Sequence, residues 1–290
     1  MEYHSDRFED FSLMVFKDEK LVGVLPANKR GGKVYSHEGL SYGGLVFNEK
    51  IKFNVVLLIF KSVLRYLDSS KINELHVKLL PSIYCKIPND ELLYLAFLLE
   101  AQLSRRDALA VICSSQRIKY SKNRIEGKNR GLKNNLEIKE VLDFTAFWNT
   151  ILIPNLANKH EAKPVHSLKE ITMLKHLFPK NIRQFNVYQN EELVAGTTIF
   201  ESHNVAHSQY ISGNENKNVL GSLDFLHMHL LDEVFADKNY FDFGISNENK
   251  GRNVNEGLQY WKEGFGARII AQDFYTFETN NFSKLDTVML

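Results

Sequence analysis

Hydrophobic positions along this chain follow two rhythms. Extended, β-type runs occur at FSLMVF (Phe11 to Phe16), LVGVLPA, ELHVKLL, ALAVIC, QFNVY, LVAGTTIF, NVAHSQY (Asn204 to Tyr210), YFDFGIS (Tyr240 to Ser246) and IIAQDFYTFE, and each predicts a strand. Helical spacing governs FNVVLLIFKSVLRYL, where Phe53, Val56, Leu57, Phe60, Val63, Leu64 and Leu67 share one stripe. It governs LGSLDFLHMHLLDEVF too: Leu223, Leu226, Leu230, Leu231 and Val234 fall together, while Asp224, Asp232 and Glu233 fall elsewhere. DELLYLAFLLEAQL reads as a further helix, and NEGLQYWKEGFGA as a short one closing on Gly264 and Gly266.

The pattern repeats. Glu19-Lys20-Leu21-Val22-Gly23 and Glu191-Glu192-Leu193-Val194-Ala195 sit in the same hairpin, and VYSHEGLSYGG in the first half faces NVAHSQYISGN in the second. Each copy then supplies an amphipathic helix and a strand. Agreement over five successive elements predicts a duplicated α/β unit, with an N-terminal domain over 1–140 and a C-terminal one over 141–290. A largely helical stretch, Val141 to Pro179, precedes the second hairpin, whereas ten residues precede the first. The first copy is therefore expected to lack its leading elements, or the chain to begin late.

Composition narrows the class only a little. The 290 residues are 44% hydrophobic and 12% aromatic, ample for a packed core, and a net charge of +1 argues neither for nor against nucleic acid. Cys85 and Cys113 stand far apart and outside any metal spacing, the usage of a reducing compartment. No apolar run nears the ~20 residues of a membrane span, and MEYHSDRFED is no signal peptide. The expected location is the cytoplasm. No metal is expected either: His227 and His229 are separated by about 200° around a helix. Nucleophile-elbow, zincin, Walker and CxxC patterns are absent from the sequence.

Two stretches carry candidate chemistry. The run that ends at Ser212-Gly213-Asn214 leads through a polar loop into a helix, so that backbone N–H groups and the positive end of the helix dipole point outward together. Asn216, Lys217, Asn218, Val219, Leu220, Gly221 and Ser222 form this candidate phosphate loop. Between the copies, Arg117, Lys119, Lys122, Arg124, Lys128, Arg130 and Lys133 face a single acid, Glu126. That segment is either a solvated helix or a wall that attracts phosphate.

The hairpin, the strand ending at Ser212-Gly213, the NKNVLGS loop-helix and the segment YFDFGISNENKGRNVNEGLQYWKEGFGAR resemble the GNAT acyltransferase fold. The tandem arrangement resembles its Fem-type branch, the peptidoglycan-bridge aminoacyltransferases and their relatives. The most specific motif is Trp261-Lys262-Glu263-Gly264-Phe265-Gly266, similar to the aromatic-Lys-x-x-Phe-Gly signature of that branch; the basic segment, KPVHSLKE (Lys163 to Glu170) and FPKNI also resemble it. The resemblance implies an α/β (α+β) fold of two tandem GNAT-like domains, each a mixed, mostly antiparallel sheet flanked by helices. Asn218-Val219-Leu220-Gly221-Ser222-Leu223 departs from the usual pyrophosphate loop by starting with Asn and ending with Leu. That departure weakens the case for acyl-CoA and leaves room for an aminoacyl-tRNA donor.

What the resemblance implies is direct attack of an amine on an activated donor, with no covalent enzyme intermediate. Acyl-CoA is the expected co-substrate, aminoacyl-tRNA the alternative. The acceptor would be a small molecule or a cell-envelope, sugar or peptide precursor; DNA is not an expected partner. Lys262 would stabilise the tetrahedral intermediate or hold donor phosphate, and Tyr260 would protonate the leaving group. His207 carries an imidazole suited to deprotonating an amine, and Asp242 alternates with Phe241 and Phe243 toward the cleft. Backbone N–H groups near Tyr210 would serve the oxyanion, while Asn255 and Glu256 open the last helix beside the substrate. By the repeat alone, His37, Glu38 and Tyr42 would line the opposite wall. A catalytically silent module that binds a phosphate-bearing partner is the alternative from another class.

Overall fold

A computed structural model describes residues 5–160 and 163–289. The chain divides into two compact units: Met1–Asp107 with Asn249–Gly251 and Ala271–Leu290, and Ala108–Glu248 with Arg252–Ile270. This differs from a division near residue 140, for a physical reason. Strand Glu137–Val141 pairs along Ile182–Gln189, and helix Lys122–Lys133 packs closely on Ser222–His229, so both go with the second unit. At the other end, Phe274–Glu278 of the last strand pairs antiparallel with strand Glu74–Lys78 and returns to the first unit.

In the first unit, strands Leu13–Lys17 and Lys20–Leu25 form a hairpin whose turn residues Asp18 and Glu19 have φ of 49° and 63°. Two successive positive φ values are the backbone of a tight turn that follows the strand twist. The larger sheet runs Glu9–Asp10, Asn28–Arg30, Lys33–Tyr35, Glu74–Lys78, then the end of Arg268–Glu278. Only Lys33–Tyr35 and Glu74–Lys78 run parallel there, joined through helix Phe53–Ser69. The stripe read from the sequence is the buried face of that helix: Val56, Leu57, Phe60, Val63, Leu64 and Leu67 all lie in the core, with Phe53 packed at its margin and Phe60 edge-on to Phe277.

The second unit repeats the scheme at greater length. Its hairpin, Ile182–Gln189 and Glu192–Glu201, turns on Asn190 and Glu191 with φ of 47° and 69°. Glu19 and Glu191, matched by sequence, thus occupy the same position in the same kind of turn. The strands run in the order 108–113, Tyr240–Ile245, Val205–Gly213, Glu192–Glu201, Ile182–Gln189, Glu137–Val141. Again one pair is parallel, Val205–Gly213 with Tyr240–Ile245. Phe185, Val187, Leu226, Leu230, Phe241, Phe243 and Phe265 share the core on one side, and on the other Phe147 lies against Gly196, leaving no room there for a Cβ. The segment expected as one helix from Leu220 to Phe235 is three pieces: a turn Lys217–Leu220, a break at Gly221 (φ +69°), helix Ser222–His229 and a π-turn Leu230–Val234.

Candidate functional site

The parallel strands Val205–Gly213 and Tyr240–Ile245 stay in register for three residue pairs, Val205↔Tyr240, Ala206↔Phe241 and His207↔Asp242. Beyond that, the second strand bulges. Its pairing with 108–113 shifts between Asp242 and Ile245, and Gly244 at φ +70° accepts a turn that a side chain would strain. Asp242 Oδ1 accepts the Gly244 N–H at 2.7 Å, and Asp242 Oδ2 meets His207 Nδ1 at 3.1 Å. From the other side Lys262 Nζ donates to the carbonyls of Gly244 (3.0 Å) and Ile245 (2.7 Å). Burial pushes the Lys262 ammonium down to about 8, with Asp242 pulling the other way. Three of the four candidate catalytic residues are therefore brought together, as a buried brace around the bulge. Lys262 is 2% exposed, and none of the three belongs to the lining of the two cavities described next. The sequence missed this because helical spacing does not say which carbonyls a lysine can reach.

The cavity of the second unit lies beside the end of strand Val205–Gly213 and measures about 540 Å³. Leu152, Leu156, Ile211, Leu223, Leu258 and Trp261 give it apolar walls, and Lys217, Asn218, Asn255 and Tyr260 supply polar groups. Tyr260, the fourth candidate, is 60% exposed and its hydroxyl accepts from Asn123 Nδ2 at 3.3 Å. Asn255 caps helix Glu256–Glu263 through its side chain, accepting the Leu258 N–H at 3.0 Å. Glu256 sits in the first turn of that helix and lines a neighbouring cavity of about 610 Å³ with Gln259, Tyr260 and Glu263.

Sequence reasoning missed Asn155. Its Nδ2 donates to Ser212 Oγ (2.8 Å) and to the Gly213 carbonyl (2.7 Å), tying a helix to the strand end across 57 and 58 residues of sequence. No local pattern marks such a residue.

The expected phosphate loop is only half open. Lys217 and Asn218 line the cavity and Val219 is exposed, but Leu220 and Ser222 are buried. Gly221 lies under helix Lys122–Lys133, where an added Cβ would fall 2.0 Å from the Gly127 carbonyl oxygen. The first turn of Ser222–His229 also carries a carboxylate. Asp224 accepts from Arg124 Nη1 at 2.5 Å and from Trp261 Nε1 at 2.8 Å, with Arg130 at 4.0 Å. Burial pushes its carboxyl up, and Arg124 pulls it back. The basic segment is thus divided: Arg124 turns inward to hold Asp224, and Lys122 is bathed by solvent.

Tyr210 is a core residue outside the cavity lining. Its hydroxyl accepts the His166 N–H at 3.0 Å and lies 2.7 Å from His166 Nδ1, and burial pushes it up to about 12. His227 is fully buried among Phe241, Phe243, Trp261 and Phe265; Nδ1–H donates to the Leu223 carbonyl at 2.8 Å and burial pushes the ring down to about 4. His37 and Glu38 line a cavity lying wholly within the first unit, and Tyr42 is not part of its lining but packs on Tyr84 at 4.4 Å. Among the described residues no group of three or more His, Cys, Asp or Glu could hold a metal, and no helix is long and apolar enough to cross a membrane.

Paired hairpins, paired parallel crossovers and a splayed strand beside a cavity make up a tandem GNAT-like α/β fold. Solved structures that share it include FemX (TM-score 0.63, 10% identity, covering 96% of this chain and 90% of that one). They include also the C-terminal domain of a protein described as a lysylphosphatidylglycerol synthetase from Agrobacterium fabrum (0.62, 10%, 96% and 87%) and L-PGS from Bacillus licheniformis (0.60, 11%, 93% and 84%). No family model matches the chain, and no curated protein does.

Proposed function

We propose that the chain transfers an acyl group, and specifically an aminoacyl group held as an ester, to an amine acceptor. The observation that carries this reading is the cavity where strand Val205–Gly213 leaves its partner. There the strand end Ile211, Ser212 and Gly213 meets Lys217, Asn218, Asn255 and Tyr260. The shared fold with FemX and with L-PGS supports a transferase. One feature favours an aminoacyl-tRNA-type donor over acyl-CoA: the Gly127 carbonyl of helix Lys122–Lys133 covers Gly221, where a diphosphate would have to approach the backbone.

In this scheme the acceptor nitrogen attacks the ester carbonyl carbon. The C–O bond to the ribose oxygen breaks, and the proton lost by nitrogen ends on that oxygen. The Tyr260 hydroxyl in the cavity wall hands over a proton, and Asn155 fixes the strand end, Ser212 and Gly213, against which the carbonyl lies. The protein supplies position and electrostatics rather than a nucleophile.

The test is calorimetry with a non-hydrolysable 3′-aminoacylamino-adenosine and with acetyl-CoA, followed by transfer assays from labelled aminoacyl-tRNA to simple amines. The expected result is binding of the adenosine analogue alone, with transfer lowered by about 10²-fold in Tyr260→Phe. Binding of acetyl-CoA alone would reverse the donor assignment. Binding of neither would remove the transferase reading. A silent binding module is favoured by one observation: Lys262, His207 and Asp242 are engaged with the bulge rather than with the cavity. Binding of the analogue without transfer to any amine would identify that case.

A further inference from the structure

The first unit has a cavity of its own, about 440 Å³, lined by Tyr35, Glu38, His76, Lys78, Arg105, Lys250, Phe274 and neighbouring residues. Its charge is one-sided. Lys78, Arg105 and Lys250 face a single carboxylate, Glu38, and that carboxylate is already held by Arg30 at 3.0 Å and by Asn28 Nδ2 at 3.0 Å. Lys78 and Arg105 lie over the same Phe274 ring, with Nζ and Cζ at 5.5 and 4.7 Å from its centroid. Asp107 fixes the Arg105 guanidinium through two bonds of 2.8 and 2.7 Å. Lys78 Nζ has a neutral partner, the Leu40 carbonyl at 3.3 Å. Two cations over one aromatic ring, one of them largely buried on a carbonyl, form an arrangement that a bound anion would relieve.

We propose that this cavity binds an oxyanion, the carboxylate or phosphate of a ligand whose remaining part lies along Tyr35 and Phe274. Lys78 and Arg105 are the residues that would hold it. The proposal is independent of the transferase reading, because it concerns residues of the first unit alone and needs no turnover to be tested.

Protonation gives it a signature. Burial, with Arg105 adding like charge and Asp107 opposing, pushes Lys78 down to about 8. The other charged or titratable groups facing the cavity are Tyr35, His37, Glu38, His76, Lys250 and Tyr275. An anion stabilises the ammonium form of Lys78, so binding above about pH 8 draws a proton from the buffer, and affinity falls as pH rises further.

The experiment is calorimetry of the full chain with inorganic phosphate and, separately, with succinate, in two buffers of different ionisation enthalpy at pH 8.5. The expected result is binding of one or both near or below about 10 mM, with proton uptake. Affinity should drop about tenfold or more in Lys78→Met. Phosphate alone points to a phosphorylated ligand, and succinate alone to a carboxylate. A second variant, Arg105→Gln, should weaken binding without abolishing proton uptake, and circular dichroism of both variants reports that they are folded. Absence of binding by either anion, or equal affinity in folded Lys78→Met, overturns the proposal.

Discussion

His207 and Asp242 face each other as the third registered pair of two parallel strands, and their side chains meet there at 3.1 Å. The same carboxylate holds the Gly244 N–H at 2.7 Å, so a single acid closes the paired part of the strands and shapes the bulge beyond it. Asp242 is buried, and replacing it with Ala removes the acceptor of the Gly244 N–H and the 3.1 Å contact with His207. The expected loss is about 2–4 kcal/mol of stability, read as a lower urea midpoint. Asp242→Asn, which keeps an acceptor for Gly244, should lose less.

Lys262 gives stability a slope in the alkaline range. Its folded value of about 8 lies below the 10.5 of an ordinary lysine, so between these limits the unfolded chain binds more protons than the folded one. Stability from this group therefore rises as pH climbs from about 8 toward 10.5. Urea titrations at pH 7.5 and 10 should show that increment in the native protein, amounting to about 2–3 kcal/mol. Lys262→Met should lack it, while Lys78 adds a slope of the same sign in both proteins.

His227 acts at the acid end. Its folded value of about 4 lies below 6.5, so the unfolded chain again holds the extra proton, and stability falls as pH drops from about 6.5 to 4. His227→Gln removes the titrating group at some cost at neutral pH. The difference between native and variant should narrow by about 2–3 kcal/mol between pH 7 and 4, measured by denaturant titration.

Gly221 is held by space and by backbone together. With φ +69° and the Gly127 carbonyl 2.0 Å from where a Cβ would stand, Gly221→Ala cannot be absorbed without moving helix Lys122–Lys133. The expected cost is about 2–4 kcal/mol, seen as a fall in thermal midpoint. A substitution at the exposed neighbour Val219 should change little.

Much of the architecture was legible because it is written locally. The stripe of helix Phe53–Ser69, the Glu19 and Glu191 turns and the strand Tyr240–Ile245 all depend on spacing within a few residues. Boundaries slipped where tertiary pairing overrides that pattern. The helix read through Leu103 stops at Leu98, because Gln102 already begins a strand that continues to Cys113. The break at Gly221 was hidden by apolar residues on both sides of it. The candidate site was half legible. Tyr260, Asn255, Lys217 and Asn218 do line the cavity, whereas alternation aimed Asp242 at the cleft with Tyr240 and Gly244, and the bulge instead turns its carboxylate onto the Gly244 N–H and His207. Burial of Lys262 beneath the bulge, the grip of Arg124 on Asp224 and the reach of Asn155 to Ser212 were not legible. Each joins residues 17 to 100 positions apart, and no periodicity records such a meeting.

The last strand, which pairs Phe274–Glu278 with Lys78–Glu74, has a consequence for synthesis. On the ribosome the chain emerges amino end first, yet the first unit has to wait for an edge made after every segment of the second unit. The second unit has all of its segments synthesised before that partner is made. The earlier-made half is therefore the later one to mature, and a nascent chain halted before residue 271 should carry an unfinished amino-terminal unit, open to protease.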